Sequence, residues 1–391
     1  MAIPILTKEE FLQRQDTVRT ELSSLGLDGA VIFNPVRVTY LTGFAHCPTE
    51  RPIVLILPVE SDPIMLLPIL EEQHFKSQAP WFNNVRAYLE YPGSDHPMLQ
   101  LTRLIAERRL RTNKLGADHD GAMDLNGYQG SALSDQLGFR VTPVSNLIDS
   151  VRMVKSSTEL AILREAGRWA ARAHEFLQEA IAIGRSERSI CRQAEDKTLD
   201  LLAKASRKEV AEGSVSTIET LLAGERTTMP HSFTSVRPVQ VGDVVVTCCQ
   251  GIMSGYNTEL ERTLFVGQPT DRQRELFDIV YQAQELQLSM LRPGNTCAEI
   301  DKKVRDWFSS KGCSEFVLHH QGHGLGLEGH ERPFMDIGDP TVLKAGMVLS
   351  VEPGLYVSGV GGFRHSDTVL VGEQEVEFLT PYARKLDELI V

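Results

Sequence analysis

The chain has 391 residues, 42% of them hydrophobic, which is enough for two domains with cores of their own. Its formal net charge of −12 argues against nucleic acid or an anionic membrane as the main partner, because either needs a basic face. No apolar run reaches the length of a membrane span, and Met1-Ala2-Ile3-Pro4 lacks the basic-then-apolar layout of a signal peptide.

In chain order, Thr7-x-x-Glu10 is a capping-box pattern that opens a helix running to about Leu25, before Gly26. Residues 29–34 and 52–58 are short, rich in Val, Ile and Leu, and read as buried strands. Helix-like stretches near 97–111 and 126–137 alternate with strand-like 114–117 and 139–142, giving an α/β layer with mixed strands. The charged segment 147–157 leads into a new helix from Thr158, so the expected domains are 1–155 and 156–391. In the second domain, helices near 158–182, 187–205, 271–291 and 297–311 are separated by strands at 243–249, 258–266, 346–352, 363–371 and 375–379. Gly372-Glu373 supplies a hairpin turn between the last two strands. This pattern predicts an α+β domain: a curved, mainly antiparallel sheet covered by helices on one side, with the open side left for a site. The six cysteines, at 47, 191, 248, 249, 297 and 313, have no zinc-like spacing, so reduced thiols in a cytoplasmic protein are the expectation.

Several residues are candidates for chemistry. Glu259 and Glu261 lie two apart in a strand and point to one face, which for two acids is commonly a solvated outer surface. Arg262 then faces the core with Leu260 and Leu264, which requires it to pair. His231 sits in a loop, where a lone histidine is often structural. In His319-His320-Gln321-Gly322-His323-Gly324-Leu325-Gly326 the interleaved glycines let backbone approach closely to whatever the histidines contact. Glu352 ends an apolar strand, and a buried glutamate is rare unless paired or functional.

Gly322-His323-Gly324-Leu325-Gly326 with His330-Glu331-Arg332-Pro333, the segment 346–354 (GMVLSVEPG), and Arg152-Met153-Val154-Lys155-Ser156 resemble motifs of the pita-bread superfamily of Xaa-Pro peptidases and methionine aminopeptidases. The likeness covers nearly the whole chain and implies an α/β N-terminal domain followed by a pita-bread catalytic domain. That superfamily binds two divalent metals through Asp, Asp, His, Glu and Glu. The matching positions here are Cys248, Glu259, His323, Glu352 and Ser366, and a serine hydroxyl cannot replace a bridging carboxylate.

Within the superfamily the chain is most similar to creatinase, its metal-independent branch. Segment 259–265 (ELERTLF) resembles creatinase's ALERTLF, His231 falls at the place of its catalytic histidine, and Phe44-x-x-Cys47-x-x-x-Arg51-Pro52 matches its substrate loop. Pro293-Gly294-x-x-Cys297 also matches, although a buried cysteine explains it equally well. Glu259, Ser366 and Thr49 depart from creatinase, where Ala, His and Phe stand. Arg332 follows His330 by two residues where creatinase's second carboxylate-binding arginine follows by four, which puts creatine itself in doubt as the substrate.

The resemblance implies a hydrolase that needs no metal or other cofactor and cleaves a C–N bond of a small carboxylated guanidino or cyclic amidine compound, creatine-like or ectoine-like. Glu261 and Glu352 would hold the substrate cation, and His231 would move the proton. His323, His330, Arg332 and Glu259 would contact the substrate, and Arg51 would reach its carboxylate from the other subunit of a homodimer. Two alternatives stay open. One is an Xaa-Pro peptidase-like metallohydrolase, with one zinc on Cys248, Glu259, His323 and Glu352. The other is a catalytically inactive binding protein.

Overall fold

A computed structural model describes residues 4–89, 95–121, 128, 130–205 and 215–391. Residues 6–152 and 153–391 form separate compact units. The elements of the first are α1 (Lys8–Ser24), β1 (Gly29–Ile32), α2 (Pro35–Thr42), β2 (Val54–Pro58), β3 (Ile64–Pro68), α3 (Glu72–Gln78), β4 (Val85–Tyr88), α4 (Pro97–Glu107), β5 (Leu115–Ala117), α5 (Leu133–Leu137), β6 (Thr142–Pro143) and α6 (Ser145–Met153). The second holds α7 (Ser157–Ala180), α8 (Glu187–Ala205), β7 (Val215–Ala223), β8 (Val244–Met253), β9 (Tyr256–Phe265), α9 (Asp271–Met290) and α10 (Cys297–Ser310). These are followed by β10 (His323–Gly324), β11 (Glu331–Phe334), β12 (Val348–Val351), β13 (Gly354–Val357), β14 (Gly361–Arg364), β15 (Ser366–Val371) and β16 (Val376–Phe378).

The first unit is a mixed sheet in the order β4-β3-β2-β1-β5-β6, with β1 antiparallel to β2 and parallel to β5. Thr7 caps α1 by accepting from the Glu10 backbone N–H at 3.4 Å. The expected helix at 126–137 is described only from Leu133, since residues 122–127 and 129 lie outside the described set. No described helix is long and apolar enough to cross a membrane.

The second unit is an antiparallel sheet in the order β11-β10-β12-β15-β9-β8-β7, with β16 beside β15. It is the curved half-barrel that the alternating strands and helices predict. Helix α7 begins with a full capping box, in which Ser156 and Glu159 satisfy each other's backbone N–H groups. The helix lies so close on β8 that a Cβ at Gly251 would sit 2.0 Å from the Ala166 carbonyl oxygen. The charged segment before α7 is not an open linker. Lys155 Nζ meets Glu331 Oε1 at 2.7 Å, both buried, and the Lys155 backbone N–H donates to Gly346.

Alternation along β9 sorts its side chains. Leu260 packs with Ala170 and Ala171, and Arg262 is fully buried beside it. Arg262 is paired as the sequence requires: Nη2 donates to Asp367 Oδ1 at 2.7 Å, and the remaining donors reach the carbonyls of Glu261, Ser366 and Ala383.

Under the same face, buried His174 lies 2.7 Å from Thr247 Oγ1, which itself donates to the Arg262 carbonyl. Burial, aided by Arg262, pushes the imidazole down from its ordinary 6.5 to about 3. The unfolded chain takes up that proton near 6.5 and the native one does not, so the stability contribution is present above 6.5 and is lost as pH falls towards 3. The loss should reach on the order of 2 kcal/mol by about pH 4.5. In His174→Gln the acid-side fall in denaturation midpoint should be shallower than in the parent. Parallel pH profiles for the two proteins would contradict this.

Candidate functional site

The open face of the second sheet carries a row of polar side chains fixed by register. Cys248 on β8 and Ser366 on β15 both stand opposite Glu261 on β9. Glu259, two residues back, shares that face, and the acids are only 5% and 3% exposed, so they are not a solvated outer surface. Ser366 Oγ lies 2.9 Å from Glu259 Oε1, and Ser350 Oγ lies 3.4 Å from the same oxygen and 3.0 Å from Ser366. Burial between Glu261 and Glu259 raises the Cys248 thiol well above the usual range, so it is a neutral group at neutral pH.

Residues 363–371 were expected to form one strand, but the chain breaks at His365. Strand β14 turns away to pair with β13, and β15 joins the main sheet. The break aims Arg364, which the sequence reading missed, at Glu261. Nη2 donates to Oε1 at 2.6 Å and Nε lies 2.5 Å from Oε2. Burial lowers the arginine's affinity for its proton, and Glu261, Tyr356 and Glu352 more than reverse that. Glu261, one of the two acids expected to clamp a substrate guanidinium, is therefore already paired with a guanidinium of the chain itself. The signal available in the sequence was Arg364 one residue beyond an apolar Gly-Gly-Phe run.

The histidine-glycine run behaves as its composition implies. A Cβ at Gly322 would fall 2.2 Å from the Ser350 carbonyl oxygen, and one at Gly324 would fall 2.3 Å from that of Arg332. Strand β10 thereby brings His323 against the acids. Its Nδ1 lies 3.0 Å from the Gly324 carbonyl oxygen, which places the proton there and leaves Nε2 as a lone pair. Burial pushes this imidazole down to about 4. Nε2 is buried with no hydrogen-bond partner and lies 3.4 Å from Glu352 Oε1. His330, exposed, stacks on His323 with ring centroids 3.7 Å apart. Glu352 is 7% exposed, and burial beside Glu259 and Glu261 raises its carboxyl well above the usual range.

Donor atoms of Glu259, His323 and His330 all lie within 4.8 Å of one another, as do those of Cys248, Glu259 and Glu261. The first set, two imidazoles and a carboxylate around an orphaned Nε2, fits one divalent ion. In the second, one of the acids, Glu261, is already ion-paired with Arg364.

Other expected residues fall elsewhere. His231 is exposed on the turn after residues 224–228, near His319, whose imidazole is lowered to about 4 chiefly by burial and only in small part by His231. Arg332, half-buried on β11, exerts its charge on Asp339. Arg51 belongs to the first unit and meets Glu50 there at 2.5 Å, with Thr49 Oγ1 accepting its backbone N–H. Cys297 is a buried first residue of α10, as the bland reading of its motif has it.

Residues 161–373 match the model of metallopeptidase family M24, and residues 14–154 match that of the creatinase/prolidase N-terminal domain. The Xaa-Pro dipeptidase of Lactobacillus delbrueckii subsp. lactis is 30% identical over 96% of this chain and 99% of its own length. Among solved structures, dipeptidase PepE of Mycobacterium ulcerans superposes with a TM-score of 0.86 at 27% identity, covering 99% of both chains. The Xaa-Pro dipeptidase of Bacillus anthracis does so at 0.82 and 26%, covering 97% of this chain and all of its own. These findings overturn the expectation of a metal-independent, creatinase-type hydrolase for guanidino or cyclic amidine compounds. The relatives are peptidases within a metallopeptidase family, so non-peptide C–N hydrolysis of the amidinohydrolase or ectoine-hydrolase type is set aside. The expectation rested on the likeness of ELERTLF, His231 and the 44–52 loop to creatinase, and that likeness does not show the arginine that pairs with Glu261.

Proposed function

This chain belongs to metallopeptidase family M24, and from that premise we propose that it hydrolyses Xaa-Pro dipeptides at the Glu259–His323–His330–Glu352 site with one divalent ion bound. The observation that carries the reading is the buried, unpartnered Nε2 of His323 facing a carboxylate and a second imidazole.

An ion held by Glu259, His323 and His330 would supply Lewis-acid polarisation of the scissile carbonyl. The chain's own groups do the rest. Glu352, fixed by its backbone N–H to the Gln321 carbonyl at 3.0 Å, takes the proton of the attacking water and returns it to the prolyl nitrogen. His231, on its exposed turn, exchanges protons with solvent. The buried Ser350–Ser366–Glu259 cluster locks the Glu259 carboxylate in one orientation, which keeps the site preorganised. Six unpaired cysteines support a cytoplasmic setting.

Chelation should abolish cleavage of an Xaa-Pro dipeptide, and one equivalent of Zn²⁺, Mn²⁺ or Co²⁺ should restore it. Cleavage that survives exhaustive chelation, or fails with every ion, overturns the reading.

The active unit in this reading is a homodimer, with Arg51 of one protomer binding the substrate carboxylate in the other's site. Mixing inactive Arg51→Ala with inactive His231→Ala chains should then restore activity, because a mixed dimer keeps one intact site. Continued inactivity with heterodimers demonstrated by mass spectrometry would contradict action in trans.

A further inference from the structure

His231 is exposed, so its placement is set by the turn that carries it. Apolar packing does little there: Met229, Phe233 and Val236 are 49%, 87% and 76% exposed. A segment with so little buried surface opens readily unless polar contacts hold it. Such contacts stand on both sides of the histidine.

Before it, Thr227 is buried and its Oγ1 accepts the Gly362 backbone N–H at 2.7 Å. Glu225 accepts the Ser358 hydroxyl and the Gly359 backbone N–H, each at 3.0 Å. After it, the anchor is Glu187, the fully buried first residue of α8. Oε2 accepts the Ser235 backbone N–H and hydroxyl, both at 2.7 Å, and Oε1 accepts the Ala223 N–H at 2.9 Å. Arg226 links the two sides. Its Nε lies 3.5 Å from Glu187 Oε1, an ion pair without a hydrogen bond. Its Nη2 crosses the turn and donates to Ser232 Oγ at 3.0 Å and to the Phe233 carbonyl. Those acceptors belong to the two residues that directly follow His231.

Resting on the reading in which His231 exchanges protons with solvent, we infer that Arg226 is its positioning residue. The guanidinium, facing Glu187, closes the turn from Arg226 to Phe233 and holds the His231 imidazole in one place. A guanidinium suits the task because one planar group can face a carboxylate and reach further acceptors at once. Arg226 takes no part in the reaction itself; its effect passes through His231.

Arg226→Met in the full chain tests this, because Glu187 keeps its bonds to Ala223 and Ser235. Its kcat for an Xaa-Pro dipeptide should fall about 10²-fold, the effect of a reacting group displaced by about 1 Å. Bound metal should stay at the parental level. In protein carrying carbon-13-labelled histidine, the His231 signal is assigned by its absence in His231→Gln. That signal should broaden or split in Arg226→Met while the other histidine signals keep their positions. Parental kcat, an unchanged His231 signal, or a general shift of all the histidine signals overturns the inference and leaves the peptidase reading standing. Parental kcat in His231→Gln overturns it as well. A parent that cleaves no Xaa-Pro dipeptide overturns that reading and this inference with it. If Arg226→Met does not fold, Ser232→Ala, which removes one tether and leaves Arg226 facing Glu187, should show both changes at smaller size. Parental kcat and a parental His231 signal there count against the inference.

Discussion

His323→Ala is expected to lower kcat/KM for an Xaa-Pro dipeptide by about 10³-fold or more, the scale on which a preorganised electrostatic centre is lost. The imidazole is fully buried, its Nδ1 is committed to the Gly324 carbonyl, and Nε2 points at Glu352 and Glu259. It also forms the face on which His330 stacks, so removing it loosens a second donor. Metal affinity should fall together with activity while the far-ultraviolet circular dichroism stays that of the parent. A folded His323→Ala protein with near-parental turnover and metal content would move the centre elsewhere on the sheet.

The largest stability effect is expected from Asp367→Ala. Asp367 Oδ1 receives Arg262 Nη2 at 2.7 Å with neither side chain exposed, and Oδ2 receives Gln284 Nε2 at 2.9 Å. Arg384 Nε lies 3.6 Å from the same Oδ2. Deleting the carboxylate leaves the Arg262 guanidinium buried without its counter-charge, which typically costs about 3–5 kcal/mol. Asp367→Asn keeps the hydrogen-bonding shape but not the charge, and should fall between the parent and Asp367→Ala. Urea unfolding measures both. A loss below about 1 kcal/mol for Asp367→Ala would mean that Arg262 finds another partner or reaches water.

Much of this architecture is legible in the sequence, for identifiable reasons. Thr7, Ser156, Thr270 and Thr296 each precede a helix and have Glu or Gln three positions on, and each caps its helix as that spacing dictates. Arg262, alternating with Leu260 and Leu264, announced a buried pair, and Asp367 supplies it. The two acids on one face of β9 and the glycine-spaced histidines gave most of the donors on the open face. Strand β7 was missed because its burial is uneven, with Ile218 exposed and Thr217 buried, so it carries no clean alternation. The break at His365 was missed because 363–371 is buried without interruption, and nothing local separates one strand from two. That break is what delivers Arg364 to Glu261 across 103 residues of sequence. The wrong substrate class came from the likeness of 259–265, His231 and the 44–52 loop to creatinase, and the acids alone did not correct it because Arg364 was not read with them. The contact is tertiary, and the Gly-Gly-Phe run before Arg364 marks the arginine but not its partner.

The central claim is that this site cleaves a peptide bond to proline. Metal-loaded protein should be incubated with an equimolar mixture of Xaa-Pro and Xaa-Ala dipeptides, with free proline and alanine quantified over time. The account predicts that proline is released well ahead of alanine and that release stops on chelation. No proline released under any metal loading, from protein shown to be folded, would contradict it.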